Sequence, residues 1–184
     1  MIRKALAADA KAIAQVHIRS WQEAYRDLMP THYLNGLDAT LAQRESYWAR
    51  SIALGEPDVW VAQVDHQIVG WIAVGASRDE DAAGAATGEV MARYVLAGYW
   101  QTGVGLALWR AGLLGLREQG FERLTLWVLA RNDRAIRFYR KAGCREDAGS
   151  ERSLERGGAA LVEVRYRLGF EACACASSSH STLA

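Results

Sequence analysis

Long apolar runs are missing from this sequence of 184 residues. None approaches the roughly 20 consecutive apolar residues that a helix needs to cross a bilayer. The first residues, Met1 to Ala5, also lack the apolar stretch of a secretory signal. We therefore expect a cytoplasmic protein.

An excess of either charge is also missing. The chain carries 22 Lys and Arg against 21 Asp and Glu, which gives a net charge of +1. Nucleic acids and anionic membranes are usually bound by a large positive field, and this composition does not supply one. A partner of low molecular weight or a peptide is favoured instead.

Cysteine is scarce, and the three residues, Cys144, Cys173 and Cys175, do not form an even set. A disulfide framework is not expected. Cys173 and Cys175 have no His or carboxylate neighbours at the spacing of metal ligands, so we predict no metal site.

The 51% hydrophobic content is enough for one core, and we predict a single domain over residues 1–169, followed by a flexible, Ser-rich tail at 170–184. Periodicity and breaker residues predict helices at 9–25, 39–53, 103–118 and 135–142. They predict strands at 2–6, 59–64, 68–74, 89–95, 124–129 and 160–168. Asp9 and Asn132 are the expected N-caps, His66 and Gln67 the expected hairpin turn, and 78–86 a charged loop.

A glycine turn precedes the third predicted helix. Gly103 and Gly105 lack side chains, so the backbone there can approach an anion closely, and the unpaired N–H groups of a helix N-terminus favour negative charge. Turns of this kind are common, so the turn by itself indicates only anion binding.

Two longer segments, one of which contains the turn, indicate a more specific function. Residues 89–108, from Glu89 through the turn to Leu108, resemble the cofactor-binding motif of the GNAT superfamily of N-acetyltransferases. Residues 126–144 resemble the next motif of that superfamily, in which an asparagine-capped helix ends in Phe-Tyr-x-x-x-Gly, here Phe138 to Gly143. With the amino-terminal helix included, the resemblance covers about residues 2–168.

The resemblance implies a mixed α+β fold, with a mostly antiparallel sheet of about six to seven strands that part beside Val95 and hold acetyl-coenzyme A as co-substrate. The residues implied to bind it are Tyr94, Val95, Gln101, Thr102, Gly103, Val104, Gly105, Leu106 and Asn132. Ala97 and Trp100 depart from the commonest pattern, which has Pro and Gln or Arg there. Backbone N–H groups from Gln101 to Leu106 are therefore expected to hold the pyrophosphate.

The same resemblance assigns two catalytic residues. Tyr139 matches the tyrosine that protonates the leaving thiolate, and an ordinary tyrosine pKa of about 10 suits such an acid. Glu89 matches the base glutamate of several members, although a relay of ordered water is an alternative that the sequence leaves open. Cys144 has no basic partner in the sequence, so a buried structural thiol is favoured over a nucleophile.

The acceptor amine is not identified by these motifs. Trp21, Tyr25 and Trp71 are candidates to line its pocket, and the acidic run from Asp79 to Asp81 is a candidate to attract a cation. The alternatives are that the aromatic residues belong to the core and that the charged loop is merely solvated. A homodimer is compatible with the resemblance but required by nothing in the sequence.

Three functions remain to be compared. The first is transfer of an acetyl group to a primary amine, and the second is a non-catalytic module that binds acyl-coenzyme A. The third, a nicotinamide-type oxidoreductase, fits poorly because Leu108 stands where a dinucleotide fingerprint needs its third glycine.

Overall fold

A computed structural model describes residues 1–82 and 86–170. The helices are α1 (Ala10–Ala24), α2 (Thr31–Gly36), α3 (Leu41–Leu54), α4 (Val104–Glu118) and α5 (Asp133–Lys141). The strands are β1 (Ile2–Lys4), β2 (Asp58–Val64), β3 (Gln67–Ala76), β4 (Thr87–Val95), β5 (Arg123–Leu129), β6 (Arg145–Glu146), β7 (Arg152–Arg156) and β8 (Ala159–Gly169). Of the predicted tail, Phe170 is described and its N–H donates to the Glu122 carbonyl at 2.8 Å, whereas residues 171–184, including Cys173 and Cys175, lie outside the described residues.

One mixed sheet contains all eight strands. The order is β1-β2-β3-β4-β5-β8-β6, with β7 paired to β8, and only the β4–β5 pair is parallel. This confirms the α+β class, while β6 and β7 extend the sheet beyond the six predicted strands. Among the residues described, no helix is long and apolar enough to cross a membrane.

Two apolar cores cover the two faces of the sheet. Leu108, Trp109 and Leu116 of α4 pack on one face together with Ile136 of α5. Ile13 of α1 belongs to the core on the opposite face, where α3 also packs. Helices α1 and α4 therefore each cover one face of the sheet with an apolar stripe, as their periodicity predicted.

A bulge in β4 divides that strand into two parts. Ala73 pairs with Ala92 and Val74 pairs with Val90, which leaves Met91 without a partner on β3. The parallel pairing of β4 with β5 reaches only from Thr87 to Val90, although β4 continues to Val95. The two strands consequently part at the bulge, because the extra residue bends β4 away from β5.

Some local predictions need correction. The side chain of Asp9 does not cap α1; its carboxylate accepts hydrogen bonds from the Leu6 N–H and from Arg3. The hairpin turn lies at Asp65 and His66, which both adopt positive φ, one residue earlier than expected. The cap at Asn132 is confirmed, since its side chain accepts from the Ala135 N–H at 3.2 Å.

Candidate active site

A cavity of about 560 Å³ opens where β4 and β5 part. It is lined by α1, both strands, the glycine turn, α5 and β7. This volume lies within the usual range of ligand sites.

The part of β4 beyond the bulge has an unpaired edge. Hydrogen-bonded and non-hydrogen-bonded pairs alternate along antiparallel strands. The Leu96 N–H donates to Val69 O at 2.9 Å, so Tyr94, two residues earlier, also directs its main-chain groups toward β3. The main-chain groups of Arg93 and Val95 therefore face the gap, where an extended ligand can pair with them as an added strand would.

The glycine turn lies at the end of this edge. Gln101 and Gly103 have φ of +63° and +90°, and Gly103 stands at the N-cap of α4. The first hydrogen bond into the helix runs from Ala107 N–H to Gly103 O, so the N–H groups of Val104, Gly105 and Leu106 have no acceptor within the helix. A Cβ placed on Gly103 would meet nothing within 4 Å, so the space beside the N-cap of α4 is open.

Trp100 has a role in this turn that the sequence did not indicate. Its indole N–H donates to the Val95 carbonyl at 2.8 Å and so ties the turn to the end of β4. Arg134 of α5 stacks on the indole, with its guanidinium carbon 3.2 Å from the ring centroid. The side chain thus connects both sides of the gap instead of contacting a phosphate as a polar residue would.

Four cations surround the turn and the adjoining face of α5. Arg93 donates to the Gly105 carbonyl at 3.3 Å, and its guanidinium carbon lies 3.6 Å from the Phe138 ring centroid. Arg134, Arg137 and Lys141 of α5 also line the cavity. Burial lowers the pKa of Arg134 from its usual value, as expected of a cation without an anionic partner, and none of the described residues forms a salt bridge with it.

Tyr139 and Glu89 both line the cavity. Tyr139 is 7% exposed on α5, between the cavity and the core around Trp109. Glu89 is 2% exposed on β4, before the bulge. The structure therefore brings the two predicted catalytic residues to one space.

The Glu89 carboxylate is held by one partner. Its Oε2 accepts from the main-chain N–H and the Nε–H of Arg78, each at 3.0 Å, and its Oε1 accepts from the Arg78 Nη2. Because each carboxylate oxygen accepts about two hydrogen bonds, one position on Oε1 stays free. A proton can reach the group only there.

The predicted acceptor residues fall into two groups. Trp21 and Tyr25 line the cavity, and burial raises the pKa of Tyr25 well above its usual range. Trp71 is fully buried in the core behind β4, where it packs against Trp48 and Tyr94 and does not line the cavity. Its position matches the alternative of a core aromatic.

Cys144 is buried, and burial raises the pKa of its thiol to about 12. A thiol in this state is not a nucleophile near neutral pH. Within residues 1–82 and 86–170, no group of three or more metal-ligating side chains is found.

His17 stacks on Tyr94 behind the cavity, with ring centroids 4.8 Å apart. Burial and, secondarily, the nearby charge of Arg44 lower the pKa of His17 to about 3. An unfolded histidine has a pKa of about 6.5, so below that value the unfolded chain binds a proton that the folded chain does not. This contribution to stability is present above pH 6.5 and is lost as the pH falls.

We expect wild type to lose about 2 kcal/mol of unfolding free energy from this group between pH 7 and pH 5. Urea unfolding at both pH values measures the loss. In His17→Gln the difference in unfolding free energy between the two pH values should be smaller by that amount. In His32→Gln, which changes an exposed histidine, the difference should equal that of wild type. The same difference in wild type and His17→Gln would contradict the assignment.

Comparisons with known proteins agree with this geometry. The family model described as "Acetyltransferase (GNAT) family" matches residues 18–144. An uncharacterised N-acetyltransferase, YuaI of Bacillus subtilis (strain 168), is 32% identical over 164 residues, which are 89% of this chain and 89% of that protein.

Solved structures share the fold. PaiA N-acetyltransferase from Thermoplasma acidophilum, in complex with coenzyme A, has a TM-score of 0.68 at 17% identity, covering 92% of this chain and 98% of its own. YncA from Salmonella typhimurium, with its cofactor acetyl-CoA, has a TM-score of 0.70 at 19% identity, covering 97% and 98%. Ribosomal-protein-alanine N-acetyltransferase from Brucella melitensis has a TM-score of 0.70 at 20% identity, covering 92% and 99%.

Proposed function

Because this chain belongs to the acetyltransferase (GNAT) family, we propose that it transfers the acetyl group of acetyl-coenzyme A to a primary amine by direct attack in a ternary complex. The observation that carries the proposal is the gap between β4 and β5, which ends at the glycine turn and has Tyr139 and Glu89 on its walls. The structural neighbours bound to coenzyme A and to acetyl-CoA support this choice of co-substrate.

The residues of the gap fit such a cofactor. The main-chain groups of Arg93 and the N–H of Val95 suit the amides of an extended pantetheine arm, while the Val95 carbonyl is bound by the Trp100 indole. The free N–H groups at the start of α4 suit a pyrophosphate, with Arg93 and Arg134 as nearby cations. Acetyl-coenzyme A supplies an activated thioester, and the protein has to position it and handle two protons.

Tyr139 is the general acid in this proposal. It lines the cavity from α5, as do residues of β4 on both sides of the bulge. A protonated phenol can donate its proton to the sulfur as the bond to the acetyl carbon breaks. Binding at the edge of β4 would place the sulfur within its reach.

Glu89 is the proposed base, acting directly or through water at the free position of Oε1. An alkylammonium group has a pKa of about 10 and must lose a proton before its nitrogen attacks. Arg78 fixes the carboxylate in one orientation, which limits the directions from which an amine can approach.

We expect Glu89→Gln to lower kcat/KM by about 100-fold, the usual scale of a lost general base. Asp9→Asn is the matched control, since Asp9 is also paired with an arginine but lies outside the cavity. A wild-type rate in Glu89→Gln would assign proton removal to ordered water alone.

Release of free thiol from acetyl-coenzyme A in the presence of amines tests the proposed function. The panel should include amino acids, peptides with free amino termini, polyamines and aminoglycosides. Amine-dependent release, with the acetylated amine identified by mass spectrometry, is the expected result. Tight binding of acetyl-coenzyme A with no release across the panel would favour a non-catalytic binding module.

A further inference from the structure

Positively charged side chains outnumber negatively charged ones around the cavity. Among the described residues, seven cationic side chains and two carboxylates line it: Arg78, Arg93, Arg134, Arg137, Lys141, Arg152 and Arg156, with Glu89 and Glu163. Four of these cations, Arg93 and the three of α5, lie beside the glycine turn or on the helix that faces it, where the proposed cofactor's phosphates would offset them. Three arginines and two carboxylates remain for the acceptor side.

Two of those three arginines have carboxylate partners. Arg78 binds Glu89, and Arg152 binds Glu163 through N–O distances of 2.9 and 3.0 Å. Arg156 forms no salt bridge with any described residue, and its one described side-chain hydrogen bond goes to the Glu155 carbonyl. Arg156, which is partly open to solvent, is therefore the one of these three arginines that has no carboxylate partner among the described residues.

Strand β7 presents this cation to the cavity. Side chains alternate along a strand, and Arg152, Leu154 and Arg156 all line the cavity, whereas Ser153 and Glu155 do not. Leu154 packs in the apolar cluster that contains Trp21 and Tyr25. The strand thus places an apolar contact between two guanidinium groups on one wall.

The hairpin that carries Arg156 is seated against α2. A Cβ on Gly157, which follows Arg156 at a φ of +59°, would overlap the side chain of Tyr33. This close approach needs a glycine at the turn between β7 and β8. The main chain next to Arg156 is consequently held in place by its contact with Tyr33 of α2.

The carboxylates of Asp79 and Asp81 do not offset the positive charge that β7 adds to the cavity. Asp79 accepts hydrogen bonds from Trp127 and Arg165, and Asp81 accepts two from Arg165 at 2.7 Å. Neither aspartate lines the cavity. The carboxylates of Asp79 and Asp81 are therefore engaged by Arg165 and lie outside the cavity wall.

We propose that the acceptor amine carries an anionic oxygen group, which pairs with Arg156 while the amine faces Glu89. The inference rests on the proposed function and narrows it to amines bearing a carboxylate or a phosphate. Polyamines and aminoglycosides become poor acceptors, because their additional positive charges would meet an unpaired arginine.

Matched ligands test the charge preference. The series consists of ω-amino acids, the amides of those acids, the diamines of equal length and the corresponding aminoalkyl phosphates. Dissociation constants for coenzyme A-loaded protein are measured by calorimetry, and kcat/KM is measured by thiol release. An anionic acceptor should bind about tenfold or more tightly than the diamine of equal length, and its kcat/KM should be larger by a similar factor. Comparison of the amino acids with the phosphates then shows which anion is preferred.

Arg156→Gln should reduce that preference by about tenfold, and Arg156→Glu should reverse it in favour of diamines. Arg110→Gln, which removes an exposed arginine of α4 outside the cavity, should keep the wild-type preference. A wild-type preference for diamines, or an unchanged preference in both Arg156 variants, would overturn the inference. Selective binding of anionic amines without turnover would instead contradict the proposed function and leave the inference standing.

Discussion

Tyr139→Phe should lower kcat by about 100- to 1,000-fold and leave the dissociation constant of coenzyme A within about twofold of wild type. The substitution removes one oxygen from a side chain that is 7% exposed and keeps the ring that packs beside Trp109. The lost hydroxyl would no longer protonate the departing thiolate. Steady-state thiol release and calorimetry with coenzyme A measure the two effects separately.

The leaving group provides the sharper test. An acetyl thioester of a more acidic thiol needs less protonation, so the penalty of Tyr139→Phe should shrink with that donor. Tyr166→Phe is the control, because Tyr166 is a fully buried tyrosine whose hydroxyl donates to Glu146 outside the cavity. An equal penalty with both donors would show that Tyr139 acts by packing, not as an acid.

Gly103→Val should raise the dissociation constant of coenzyme A by about 30- to 100-fold. At a φ of +90° a β-branched residue is strained, so the substitution should disturb the N-cap and the first free N–H groups of α4. Those N–H groups are the proposed contacts of the pyrophosphate, so calorimetry should show weak binding of coenzyme A. Binding of pantetheine, which lacks the phosphates, should change little.

Gly98→Val is the matched control for this experiment. Gly98 lies in the short turn before Trp100, also has open space around its Cβ position, and does not adopt a positive φ. Its substitution should leave the affinity for coenzyme A near wild type. Equal losses of coenzyme A affinity in the two variants would contradict binding of the pyrophosphate at this turn. So would a loss of pantetheine affinity in Gly103→Val as large as the loss of coenzyme A affinity.

Prediction from sequence succeeded where structure is decided within one segment. The apolar stripe of α4, the cap at Asn132 and the glycine before α4 each act over a few residues, so their pattern is visible in the chain. Helix α2 was missed because Pro30 was interpreted only as the end of a helix, although proline also stands readily at a helix start. Strand β7 was missed because most of its residues are polar and exposed, and it is held by pairing with β8.

Sequence by itself determined the helix that carries Tyr139, because it depends on local spacing, and the motif from Glu89 to Leu108, whose resemblance to a known family implied the α+β class. Tertiary structure alone decided which side chains share the cavity. The register of β3 against β4 places the bulge at Met91 and turns Arg93 and Val95 to the open edge. Arg78 engages Glu89, Arg165 engages Asp79, and no carboxylate of the described residues pairs with Arg156, so the charge presented to the cavity follows from the folded contacts.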